Sequence, residues 1–449
     1  MDTLLPPEII NKIFQNLSSQ SLKNVMLVCK KWKVIAEDPR LWTWCQITVE
    51  NKNDVKKLDI RRLQWIESIN LASFQPFELD VLLKRLEQLP KLKKITGLSL
   101  QNLAFVSPYL LAKVVNKLEY AEWCYLTNIT SEQADVSFRH MSEKTELLEL
   151  KILNINEKLS NINPDIMASA LNKLELLWMS NSLTAEQMNS IFNTMSEKTT
   201  LYGLCLTDVN ISTTQPNVLA KAVNKLRILF FHRFVNKPYI TDITASQAQS
   251  MFSIISTGTN LKMLEISTRQ LPTIEPLILA RAINKLEDVS LLNSQITTEQ
   301  AQAIFKQMAE ETQLKSLKNL RHNLSMIPAN IFGNGLRKLE EVSLRHCNLN
   351  KEQVLALFLG VSTGSQLKIL DLSFNNLSSV EPYFLVRCVN MLEDVTLTRT
   401  FLTCEQINTI LRVFLEEDTK MEMLSLELTD IGKADPELVL QARKKFQES

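Results

Sequence analysis

The chain has 449 residues, 45% of them hydrophobic and 22% charged, an ordinary composition with ample material for a core. Fifty basic against 49 acidic residues leave a net charge of +1, so no global field points to nucleic acid or a membrane surface as partner. Eight glycines weigh against a Gly-rich phosphate cradle, and four scattered histidines and seven cysteines without a Cys-x-x-Cys spacing weigh against a metal site or disulfide framework. No metal and no cofactor is expected.

The N-terminus, Met1-Asp2-Thr3-Leu4-Leu5-Pro6-Pro7, has no basic region and no apolar run, so a secretory signal is not expected. No 18-residue stretch is free of charge, which argues against a membrane span. With the odd, unpaired thiols, this gives cytoplasm or nucleus as the expected location. Residues 5–42 then read as three short helices. Pro6 and Pro7 open the first, with Ile9, Ile10, Ile13, Phe14 and Leu17 on one stripe. Ser18-Ser19-Gln20-Ser21 interrupts and recaps the chain. Leu22, Val25, Met26, Val28 and Cys29 carry the second helix, Trp32, Ile35 and Ala36 the third, and Pro39-Arg40-Leu41-Trp42 closes the stretch. So small a bundle falls below the size that usually sustains itself. Leaving about five such apolar side chains wet forgoes ~1.5–3 kcal/mol each, so a partner should cover one face.

This stretch resembles an F-box: LPxEII, IFxxL, VCKxW and PxLW follow that family's order and spacing. The resemblance implies docking on the Skp-type adaptor of a cullin–RING ubiquitin ligase. It also implies that Leu5, Pro6, Ile9, Phe14, Leu17, Leu22, Val28, Cys29, Trp32, Leu41 and Trp42 contact or shape the adaptor interface. For Val28 and Trp32 especially, the alternative is that they only hold the three helices together.

After a connecting strand and helix the chain repeats itself. Asn-Lys-Leu recurs at 116, 172, 224 and 284, alternating with Thr-x-Leu at 145, 199, 259 and 312, and each landmark opens an LxxLxLxx(x)xL pattern. Strand starts fall at Ile66, Ile95, Leu118, Leu147, Leu174, Leu201, Leu226, Leu261, Leu286, Leu314, Leu339, Leu367, Leu392 and Met421, giving fourteen units of about 27 residues. In the longer units Thr130, Thr184, Thr244, Thr297, Asn350 and Thr403 each have Gln three residues on, the capping-box spacing. In the shorter ones Pro108, Pro164, Pro216, Pro276 and Pro382 open the helix, where a missing N–H costs nothing. Each strand–turn–helix unit must stack on its neighbours to bury its apolar face. Acids such as Glu186, Glu299 and Glu405 sit in a helical first turn, where they complement the helix dipole.

The expected fold is an α/β solenoid: a leucine-rich-repeat horseshoe with a parallel concave sheet and convex helices, preceded by a small three-helix F-box. The boundaries are 3–45 for the F-box, 46–62 for the connection, 63–432 for the repeats and 433–449 for a C-terminal capping helix and tail. The arrangement resembles the F-box and leucine-rich-repeat proteins. That implies a non-catalytic substrate-recognition adaptor of an SCF-type ubiquitin ligase, the F-box holding the Skp adaptor and the repeats an unidentified protein substrate. The alternative is a leucine-rich scaffold or inhibitor-type binding protein acting without ubiquitination.

Slots two, four, six and seven after each strand start should point out of the sheet. Between 118 and 233 they hold apolar and aromatic residues, and Tyr120, Tyr125, Trp178, Phe230, His232 and Arg233 become substrate-binding candidates. Tyr239 joins them from a segment that makes its unit unusually long. A one-residue slip of register near 118 or 174 would instead put some of these rings in the core. A second strip, Lys318, Arg321, Glu341, Arg345, His346, Asp371 and Arg399, is mixed in charge. Gly360-Val361-Ser362-Thr363-Gly364 spells an esterase pattern, but a helix precedes it and a strand follows, the reverse of a nucleophile elbow. Gly333-Asn334-Gly335 reads as a helix-exit turn.

Overall fold

The computed structural model describes residues 6–42, 47–48, 66–71, 79–97, 103–124, 129–153, 159–180, 183–232, 243–292, 294–362, 364–416, 420–426, 432 and 434–448. The chain divides into two compact units, Met1–Asn210 and Ile211–Ser449.

The first unit opens with helices α1 (Pro7–Phe14), α2 (Ser19–Val25) and α3 (Lys30–Ala36), and a single turn, α4 (Pro39–Trp42). Strands and helices then alternate: β1 (Ile47–Thr48), β2 (Ser68–Asn70), α5 (Leu79–Glu87), β3 (Lys94–Thr96), α6 (Pro108–Lys117), β4 (Tyr120–Cys124) and α7 (Ser131–Glu143). They continue as β5 (Glu149–Leu153), α8 (Pro164–Leu171), β6 (Leu176–Ser180), α9 (Ala185–Glu197) and β7 (Gly203–Thr207). Each strand pairs in parallel with the next in sequence.

The second unit runs α10 (Pro216–Val223), β8 (Ile228–His232), α11 (Ala245–Thr257), β9 (Met263–Ile266), α12 (Pro276–Lys285), β10 (Asp288–Ser290), α13 (Thr298–Glu310) and β11 (Ser316–Lys318). It ends with α14 (Ala329–Leu336), β12 (Glu341–Ser343), α15 (Lys351–Ser362), β13 (Ile369–Asp371), α16 (Pro382–Val389), β14 (Asp394–Thr396), α17 (Cys404–Leu415), β15 (Met423–Ser425) and α18 (Pro436–Glu448). Here too each strand bonds in parallel to its successor. Both units are α/β solenoids, a parallel sheet in one layer and helices in the other.

The eleven-residue pattern dictates this build. Its first leucine is buried just before the strand, and the fourth and sixth positions point into the core, as Leu174, Leu177 and Met179 do. In-register pairing stacks the fourth position into a continuous apolar ladder, Leu229, Leu264, Val289, Leu317, Val342, Leu370 and Val395. One strand start needs correction. Ile95 lies opposite Ile69 in mid-strand, and the buried Leu92 holds the position equivalent to Leu118. Lys91, Lys93 and Lys94 dilute the repeat pattern around the earlier leucine.

The helices answer the strands with a buried aromatic ladder, Phe138, Phe192, Phe252, Phe305 and Phe358, each five residues after a capping-box glutamine. Threonine caps with reciprocal glutamine bonds start α7, α9, α11, α13 and α17, and Asn350 with Gln353 makes the same pair of bonds. Prolines open α6, α8, α10, α12 and α16.

The glutamines do more than cap. Their amide nitrogens reach back one repeat to two backbone carbonyls: Gln187 to Leu159 and Ile162 at 2.7 and 2.9 Å, Gln353 to Leu324 and Ile327 at 2.6 and 2.8 Å. The Asn-Lys-Leu motif works the same way. Asn116 Nδ2 donates to the carbonyl of Ala112 at 2.8 Å and to that of Ser137 in α7 at 3.4 Å. Lys117 Nζ caps the end of α5 through the carbonyl of Glu87 at 2.7 Å, a cation on a helix C-terminus. Burial lowers the Lys117 pKa, the expected direction for a half-enclosed ammonium.

Gly333 and Gly335 lie inside α14 rather than at a helix exit. A Cβ at Gly333 would meet the carbonyl oxygen of Ala356 at 2.8 Å, so the glycine permits the close approach of α14 and α15. Helix α15 runs through Ser362 and strand β13 follows, the order opposite to a nucleophile elbow.

Candidate functional site

Two surfaces carry the candidate residues. The first is the N-terminal helical domain. Ile10, Phe14, Leu22, Ala36, Leu41 and Trp42 form its core, with Leu17, Val25, Met26, Trp32 and Ile35 packed around them. The Phe14 and Trp32 rings meet edge to face at 5.6 Å, and Trp42 Nε1 donates to the carbonyl of Ala36 at 2.7 Å. Ser18 caps α2, and Cys29 Sγ accepts from the backbone of Trp32 at 3.4 Å to cap α3.

This sorts the adaptor candidates by what they can touch. Phe14, Leu22, Leu41 and Trp42 are buried and build the core; they can shape a partner-facing surface and cannot themselves meet a partner. Leu17, Cys29 and Trp32 are half-buried, while Pro6 is exposed. Ile9 is 42% and Val28 60% exposed, so most of the Val28 side chain lies outside the packing between the helices. Leu5 lies outside the described residues. Three further apolar side chains are also exposed, Ile13 at 49%, Leu27 at 85% and Val34 at 69%. Ile13 sits on the apolar stripe of α1, Leu27 lies in the continuous apolar run Val25-Met26-Leu27-Val28, which shows no helical period, and Val34 lies between Lys33 and Ile35.

The second surface is the outward face of the sheets. In the first unit Trp178 is half-buried in β6, paired with Lys151 and Cys205 on its flanking strands, and its neighbours Leu177 and Met179 are buried. Its register is therefore the outward one. Tyr120 is half-buried at the start of β4, with Lys94 Nζ 5.0 Å from its ring centre. In the second unit Phe230 and His232 occupy outward slots of β8, their rings 6.0 Å apart. His232 Nε2 lies 3.0 Å from Glu265 Oε1. Tyr125, Arg233 and Tyr239 lie outside the described residues.

The mixed strip belongs to the second unit. Lys318 Nζ is 2.7 Å from Glu341 and 3.9 Å from Asp288. Burial works against the Lys318 ammonium, but the Glu341 hydrogen bond and the charges of Asp288, Glu341 and Glu265 outweigh it and raise its pKa. Asp288 is pushed upward by burial, against the pull of Lys318. Asp394 is pushed upward by burial and by the like charges of Glu341 and Asp371. Among the described residues no group of three or more His, Cys, Asp or Glu could hold a metal ion, and no helix is long and apolar enough to cross a membrane.

An F-box-like family model matches residues 3–45. No curated protein matches the chain. Among solved structures, a TLR13–ssRNA13 complex is similar at a TM-score of 0.44 and 13% identity, over 86% of this chain. The chain spans 55% of the length of that one. Together with the observed repeats, the N-terminal match makes this an F-box-like domain followed by a strand–helix repeat solenoid.

Proposed function

We propose that the chain is the substrate-recognition adaptor of an SCF-type ubiquitin ligase, its F-box-like domain holding a Skp-type adaptor and its repeats a protein substrate. The observation that carries this reading is the exposed set Ile9, Ile13, Leu27, Val28 and Val34, on a domain whose own core is complete without them. Burial would gain up to ~1.5–3 kcal/mol for Leu27 and about half that for Ile9 and Ile13, and a contiguous partner surface is the physical route to it. The same stretch carries Lys12, Lys23, Lys30, Lys31, Lys33 and Arg40 against Glu8, Glu37 and Asp38, so the complementary surface is apolar with an acidic rim.

No bond is made or broken on this chain in that role. The adaptor end fixes position, the outward slots of the sheets fix the choice of protein, and the solenoid joins the two. Co-expression with a Skp-type adaptor and size-exclusion chromatography tests it, with Leu5→Ala/Pro6→Ala/Trp32→Ala as control. A one-to-one complex lost in the variant supports the reading. A wild type that elutes alone leaves a leucine-rich binding scaffold.

A further inference from the structure

Where β12, β13 and β14 end, three successive repeats turn through the left-handed backbone region on bulky residues: His346 at φ 59°, Phe374 at 61° and Arg399 at 55°. Asn, Asp or Gly adopt such backbone with least strain, and strain of this kind persists only where the surroundings impose it. The turns are locked to one another, the His346 N–H donating to the carbonyl of Ser373 at 3.1 Å and the Phe374 N–H to that of Thr398 at 3.0 Å.

The strained backbone stacks four side chains. The His346 and Phe374 rings lie 4.1 Å apart and 29° from parallel. The guanidinium carbons of Arg345 and Arg399 lie 4.5 and 5.2 Å from the Phe374 ring centre. His346 and Arg399 are exposed, Arg345 and Phe374 half-buried. Seated on the ring face, the Arg345 guanidinium keeps its in-plane N–H fork for an anion. Arg345 makes no ion pair among the described residues, and its Nε is shielded from solvent without a hydrogen bond. The nearest acid in sequence along the next strand, Asp371, is already engaged, accepting from the Ser373 N–H at 2.8 Å and the Ser343 hydroxyl at 3.0 Å.

We infer that this strand-exit rim of Arg345, His346, Phe374 and Arg399 docks an acidic, extended segment of a protein partner through its carboxylate side chains. The inference rests on reading the repeats as the substrate-holding part. Carboxylates fit better than phosphate for two reasons. The guanidiniums reach one ring from the repeats on either side of it, which suits separate single charges. Asp371 close by would also repel a dianion more strongly than a monoanion.

The test is fluorescence anisotropy of the full chain with labelled Gly-Glu-Ser-Glu-Ser-Glu-Gly, and with versions carrying Gln or Lys for Glu, or phosphoserine for Ser. The Glu peptide should bind, weaken with added salt, and lose about tenfold or more in affinity on Arg345→Gln/Arg399→Gln. The Gln peptide should not bind. Binding of the Glu peptide no tighter than the Gln peptide, or equal for wild type and double variant, overturns the proposal; so does a phosphoserine peptide about a hundredfold tighter. If the double variant melts lower than wild type, Arg399→Glu decides: it must shift preference to the Lys peptide, and no shift overturns the proposal. Skp-adaptor binding is measured on the same preparations. Peptide binding without adaptor binding sinks the ligase reading and leaves the rim standing, while adaptor binding without peptide binding does the reverse.

Discussion

Gln300 Nε2 donates to the carbonyl of Ile274 at 2.6 Å while its Oε1 accepts from the Thr297 N–H at 2.8 Å, so one fully buried side chain caps its own helix and fastens the preceding repeat. A second bond, to the carbonyl of Leu271 at 2.7 Å, completes the clasp. The same three bonds recur at Gln133, Gln187, Gln247, Gln353 and Gln406. Apolar contact between repeats is non-directional; the glutamine sets the register in which they stack.

Gln300→Ala leaves two carbonyls and one N–H buried without partners and should cost roughly 3–5 kcal/mol. Glu299→Ala, one residue away and exposed, should stay within about 0.5 kcal/mol. Urea denaturation of both variants checks the contrast. Equal midpoints would show that the clasp is dispensable.

Trp178 and Leu177 are adjacent in β6 and face opposite ways. Leu177→Ala should cost about 2–5 kcal/mol as a core truncation, and Trp178→Ala less than about 2 kcal/mol as loss of a half-exposed ring. Trp178→Ala, and separately Phe230→Ala, should each weaken capture of a bound protein with little change in melting by circular dichroism. A large drop in melting temperature would place those rings in the core.

Asp394 has its folded pKa raised by burial and by Glu341 and Asp371. Its charged form is therefore disfavoured on folding. The penalty is present in full above the raised pKa and disappears as pH falls below the ordinary carboxylate value. Asp394→Asn should raise the melting temperature at neutral pH, and the gain should vanish near pH ~3–4. Thermal scans across that range check it; a gain independent of pH contradicts the assigned cause.

Gly333→Ala forces a methyl against the backbone of α15, which cannot rotate away as a side chain could. The expected loss is about 1–3 kcal/mol. Gly258→Ala, with open space around it, should cost far less. Denaturation midpoints of the pair measure the close approach.

The repeat pattern, its strand faces and the caps were legible because each rests on residues within a dozen positions of one another. Thr297 and Gln300 announce a helix start by spacing alone. That Gln300 also reaches Leu271 and Ile274 was not legible, because those partners sit a whole repeat away and any buried carbonyl would have served. Gly333 is a related case: glycine in a helix reads as an exit unless the neighbouring backbone is known. In the F-box-like domain, periodicity placed Ile9, Ile13 and Phe14 on one stripe, and only packing reveals that Phe14 turns inward while the two isoleucines remain outside. The rim around Phe374 was visible as charge and invisible as geometry, since nothing in Arg-His or Ser-Phe signals left-handed backbone.

The measurement that bears most directly on the account is Skp-adaptor binding by an Ile9→Ser/Val28→Ser/Val34→Ser variant, read by titration calorimetry beside its thermal melt. These side chains are exposed, so the variant should fold as wild type and lose adaptor affinity by about a hundredfold or more. Unchanged affinity, with the fold intact, would contradict the claim that this face is the ligase-docking surface.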